Sequence, residues 1–190
     1  MAIKRYFANK DNTITNAFRS DLVTRGTGSN MGRSDILEVF TLYGQANSSS
    51  AEVERILIEF KTSEIQTDRT QGLVPASGDV GFYLKLFNAR HPFTLPSQYT
   101  LQVLAVSGAW QEGVGLDMEE YQDLTYDQLG SNFIRRSGSV AWVTEGGDFY
   151  ASPKFSQFFP EGNEDLEIEV TSLVEEWLDG TKDNHGFAIK

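Results

Sequence analysis

Short runs of alternating apolar and polar residues recur along this chain, separated by turn residues. Tyr99 to Val106 is the clearest, with Leu101, Val103 and Ala105 set against Gln102, Leu104 and Val106. A period of two predicts a strand, because successive strand side chains leave opposite faces. In Ile36 to Tyr43 both sides of the pleat are mostly apolar, which predicts a strand covered on both faces. Val53 to Phe60 turns Glu54, Ile56, Ile58 and Phe60 inward and Leu57 toward a neighbour. Val80 to Phe87 and Leu166 to Val170 extend the pattern, and residues 3–8 and 11–18 read as extended. Val140 to Val143 and Phe149 to Tyr150 are expected as short strands flanking the Gly146-Gly147 turn.

After Val170 the period changes. Leu173, Val174, Trp177 and Leu178 form one helical stripe. Ser172, with Glu175 three residues on, has the form of a capping box, and Gly180 supplies a left-handed C-cap. A helix over about 172–179 follows, then an Asn184-His185-Gly186 turn and a closing strand with Phe187 and Ile189. Asp123 to Leu129 is a second helical candidate, and residues 61–79 hold one helical turn. Residues 19–35 read as a surface loop. Their glycines lack the Gly-Lys-Ser/Thr ending of a phosphate loop. Strands joined by long loops, with one short helix, define an all-β chain: an antiparallel β-sandwich of jelly-roll type. Nothing divides residues 1–190, so one domain is expected.

Charge narrows the functions. The formal net charge is −11, which repels phosphate backbones and disfavours nucleic acid as a partner. The chain has no cysteine, so disulfides, thiolate metal sites and a cysteine nucleophile are excluded. No apolar run is long enough for a membrane helix, and no membrane insertion is expected.

Candidate chemistry is sparse. The two histidines, His91 and His185, both fall in turns and suggest no catalytic base. The carboxylate pairs Glu119-Glu120 and Glu175-Glu176 read as solvated, so no catalytic residue is assigned. Calcium needs clustered oxygens. Asp117, Glu119, Glu120 and Asp123, or Glu145 with Asp148, are candidates for a structural ion, though neither set has EF-hand spacing. No other cofactor is expected. Trp110 and Trp177 read as packed, whereas Trp142 with Phe149 and Tyr150 is the candidate exposed platform for a glycan.

Three segments together resemble the DNRLRE-type domain, a jelly-roll sandwich related to carbohydrate-binding modules. They are Arg55 to Phe60, then Trp110-Gln111-Glu112-Gly113, then Val170 to Val174 through Trp177, Asp179-Gly180 and Gly186 to Lys190. Trp110, Glu112, Gly113, Ser172, Trp177, Gly180 and Gly186 are its fold-defining positions. The whole chain is also similar to structural proteins of tailed, marine cyanophage-like bacteriophages, through Ala2 to Tyr6, Asn12 to Phe18 and Thr24 to Gly32. These resemblances imply a non-enzymatic virion structural and attachment module. It would be carried on particles and assemble with copies of itself and other virion proteins. The alternative is a carbohydrate-binding domain for host or environmental polysaccharide. Members of the first family continue past the Gly-Phe-x-Ile-Lys strand, whereas this chain stops at Lys190. Two expectations follow: the sequence is the N-terminal part of a longer protein, or a partner strand fills an open slot.

Overall fold

The computed structural model describes residues 3–90, 95–117 and 129–190. Over these residues the chain is mostly antiparallel β-sheet, with two short helices. In chain order the elements are β1 (Lys10–Thr15), β2 (Phe40–Tyr43), β3 (Ala51–Glu59), α1 (Thr62–Thr70), β4 (Tyr83–Leu86) and β5 (Tyr99–Val106). Then come β6 (Arg135–Ser137), β7 (Val140–Ala141), β8 (Phe149–Phe159), β9 (Leu166–Glu169), α2 (Thr171–Leu178) and β10 (Phe187–Ile189). The main sheet runs β1-β3-β10-β5-β8, and β2 pairs with the first half of β3. The strands β4 and β9 form a separate ribbon, and β6 and β7 a small hairpin.

The sheet buries both faces over part of its area. On the first, Ile56, Ile58, Val103, Ala105, Phe187 and Ile189 meet Leu84 of β4, Leu166 of β9 and the α2 stripe of Leu173, Val174 and Trp177. The Trp177 indole meets the Phe187 ring edge-on, with centroids 4.7 Å apart. On the second, Ile14, Leu57, Val106 and Ala188 pack under Trp110 and Trp142, which loops deliver. Leu57 therefore faces a second core.

Several expectations change. The strand expected over Ile36 to Tyr43 is confined to β2, whose residues are half-buried or exposed; Leu37 and Val39 reach the first core from irregular backbone. The helical turn expected in 61–79 is the nine-residue α1, which puts Ile65 into the first core and is tied to α2 by polar contacts as well. Arg69 pairs with Glu175, and Gln66 donates to the Leu178 carbonyl at 3.2 Å. The capping box does not form: Ser172 lies inside α2, the N-cap is Val170, and Thr171 Oγ1 instead accepts from the Phe82 N–H. Glu175 and Glu176 are not free surface charges, since Glu176 pairs with Lys182. The strand expected at Phe149-Tyr150 runs on for eleven residues as β8. The helix expected over Asp123 to Leu129 lies almost wholly outside the described residues.

The closing strand β10 is central, between β3 and β5. Its entry is tight. Gly186 has φ +83°, and an added Cβ would lie 2.3 Å from the Ile58 carbonyl oxygen, so only glycine fits. The Trp110 indole N–H donates to the His185 carbonyl at 2.8 Å. Two segments that are distant in sequence thus join in one turn.

The loop of residues 19–35 is buried at its centre: Ser29, Asn30 and Met31 are all inside. Asn30 is the reason. Its Nδ2 donates to the Glu112 and Ser131 carbonyls, at 2.7 and 2.8 Å, and its Oδ1 accepts from the Gly115 and Gly32 N–H groups. Asn12, beside it, donates to the Ser131 carbonyl and Oγ and accepts from Met31 N–H. Glu112 Oε1 accepts the Asp11 N–H at 2.9 Å, which caps the outer edge of β1. Side-chain amides here do the work of a ladder, satisfying backbone groups that have no strand partner.

Candidate functional site

Cross-strand partners in an antiparallel sheet share a face. The register pairs Gln102 with Ser156, Leu104 with Lys154, and Thr100 with Phe158. Lys190 and Gln102 exchange backbone hydrogen bonds at 3.0 and 2.7 Å, and the pairing of Ile189 with Ile56 brings Lys190 alongside Arg55. One half of the second sheet face thus carries Arg55, Lys190, Gln102, Ser156, Lys154 and Phe158. Lys154, Ser156 and Lys190 are exposed, and Phe158 is 57% exposed. The other half of that face is the core beneath Trp110 and Trp142.

The cations are close and share an aromatic support. Lys190 Nζ lies 5.6 Å from the Phe149 ring centroid. The Arg55 guanidinium lies 5.7 Å from the Phe149 and Phe133 centroids, and donates to the Gly146 carbonyl. Among the described residues none of Arg55, Lys154 and Lys190 forms an ion pair with a carboxylate. Burial, and then the nearby Arg55 and Lys154 charges, hold the Lys190 pKa below the usual lysine value.

On its other side Phe149 lines an open depression of about 610 Å³, with Ser107, Gly108, Arg136, Thr144 and Asp148. The Asp148 carboxylate accepts the Val143 and Thr144 N–H groups, each at 2.8 Å, so it serves the turn. Gly147 has φ +107°, and a Cβ there would fall 2.5 Å from the Phe149 ring.

The expected aromatic platform does not exist as one surface. Trp142 is buried, with its indole N–H donating to the Asn132 carbonyl at 2.9 Å. Phe149 and Tyr150 are consecutive in β8 and pack toward opposite sides, one against the second core and the other against the first. Of the calcium candidates, Asp117 is buried and accepts from Asn30 N–H at 2.9 Å; Glu119, Glu120 and Asp123 lie outside the described residues, as does His91. Asp148 uses one lone pair of each carboxylate oxygen on the backbone of its own turn, and Glu145 is exposed. Among the described residues no group of three or more His, Asp or Glu side chains is placed to hold a metal, and no helix is long and apolar enough to cross a membrane.

Pattern reading missed the cationic face because its members come from four distant strands. The available signal was the outward set of β8, where Lys154, Ser156 and Phe158 recur at period two without an acid among them. Comparison of the chain with family models, with curated proteins and with solved structures found no match.

Proposed function

We propose that this chain is a non-enzymatic structural and attachment module of a tailed-phage particle. In this reading it is a jelly-roll-type sandwich, with the six-stranded sheet as one layer and the β4–β9 ribbon in the other. It works by burying strand edges and loops against copies of itself and against other particle proteins. One observation carries the reading: among the described residues β8, the longest strand, is the last in the sheet order and pairs on one side only. Pro153 and Lys154 blunt part of that edge, as edge strands of stable proteins require. Among the described residues no strand pairs with the outer side of Phe155 to Phe159, whose Gln157 side chain bonds the backbone at Asp165 and Glu167, and exposed apolar side chains at Tyr43, Tyr83 and Phe87 add further contact area. A strand added to the β8 edge satisfies its free backbone groups.

Light scattering over a range of concentrations tests this. The expected result is a defined multiple of the chain mass, approached as concentration rises. A monomer at every concentration overturns the assembly reading. The alternative, a carbohydrate-binding domain, draws its support from the open sheet face with its cations, amide, hydroxyls and exposed phenyl ring.

A further inference from the structure

We propose that the open half of the second sheet face binds a polysaccharide bearing carboxylate or sulfate groups, with Lys154 and Lys190 as the direct anion contacts and Arg55 as the fixed charge behind them. The inference deepens the attachment reading but does not depend on assembly, since the face serves a monomer as well as an oligomer.

Charge is the first argument. The chain is strongly acidic, yet three cations meet on one face with no carboxylate partner among the described residues. Gathering like charges costs free energy, and a bound anion offsets it. The acidic side chains of β3 are kept away: Glu52 and Glu54 are buried on the opposite face, and Glu59 is paired with Lys10 at the far end of the strand. Arg55 cannot swing toward a surface acid, since Phe133, Phe149 and the Gly146 carbonyl hold it.

The neighbours of the cations identify the ligand class. Gln102, Ser156 and Thr100 supply an amide and two hydroxyls in adjacent rows of the same face, and Phe158 presents an exposed ring. Polyols need both features: hydrogen-bonding groups at the hydroxyls and an apolar surface against a sugar ring. Rows of the sheet are ~4.8 Å apart across strands, so Lys190 and Lys154, two strands apart, are set for charges separated by uncharged units. Duplex DNA, with one charge per ~1.7 Å of axis, would overrun this small strip and meet the acidic remainder of the surface. An acidic peptide would satisfy the cations but leave the amide, hydroxyl and ring contacts without a regular counterpart.

The test is titration calorimetry of the whole chain, at low and moderate salt, against polygalacturonate, dextran sulfate and neutral dextran, with duplex DNA and polyglutamate as competitors. Binding to at least one of the two anionic polysaccharides is expected, weakened by salt and absent with neutral dextran. Lys154→Glu and Lys190→Gln, both at exposed positions, should each weaken binding roughly fivefold or more, and together by the product. The thermal melt should not change. Lys61→Glu, exposed and distant in the fold, should bind as the parent does. Equal binding by the double variant, no preference over neutral dextran, or equally tight binding of polyglutamate or DNA each overturns the proposal. A monomeric but glycan-binding protein would instead overturn only the assembly reading.

Discussion

Unfolding free energy measured by urea titration falls by roughly 4 kcal/mol between pH 5 and pH 8 through one side chain, Glu54, at ~1.4 kcal/mol per pH unit. Glu54 is 1% exposed on the first sheet face, between Thr15 and Phe40, and neither carboxylate oxygen has a hydrogen-bond partner among the described residues. Burial, and after it the negative charge of Glu38, push its pKa from 4.5 up to about 9. The folded protein therefore keeps the proton through neutral pH, while the unfolded chain releases it near 4.5. Between these values the folded state holds more protons, so stability is greatest below about 4.5 and declines as pH rises toward 9. Glu54→Gln keeps the shape and removes the titration. Its difference from the parent should shift with pH by the stated amount, the variant gaining on the parent as pH rises. A parallel pH dependence in both proteins would show that Glu54 is ionised in the fold.

Asn30→Ala lowers stability by about 3–5 kcal/mol, which for a chain of this size is a melting-temperature loss on the order of 10 °C. Four side-chain hydrogen bonds disappear at once, and the Glu112 and Ser131 carbonyls and the Gly115 N–H lose a buried partner. Water has little access, because the Asn30 amide is packed against Gly113 and Gly130, where a Cβ would stand 2.3 and 2.5 Å from its atoms. Asn30→Asp should be no milder. It preserves shape but turns an anionic oxygen toward two carbonyls that had accepted a donor. Asn163→Ala, at an exposed position, should stay within about 0.5 kcal/mol of the parent. Differential scanning calorimetry distinguishes these cases. A small loss at Asn30 would mean that the three loops are held by something other than this amide.

What was legible in the sequence depended on periodicity. The strand Tyr99–Val106 and the α2 stripe were readable because apolar burial imposes a period of 2 or 3.6. The extent of β8 was not, because an edge strand tolerates Pro153 and a polar outer set. The Asn30 loop was misread for a different reason: its burial rests on side-chain amides bonded to distant backbone, which leaves no periodic trace. Trp142, the candidate platform beside two glycines, takes the burial usual for a large aromatic, received by Asn132 and the β1–β3 face. The cationic face could not be seen along the chain at all, since only the register aligns Arg55, Lys154 and Lys190.

If the outer edge of β8 is an assembly edge, as proposed, hydrogen exchange of its amides reads it out. Every second amide from Lys154 to Phe159, where the pairing with β5 is regular, points away from β5. These outward amides should be protected in concentrated protein and lose protection on dilution, while the inward set stays protected throughout. Outward amides that exchange at one fast rate at every concentration would contradict it.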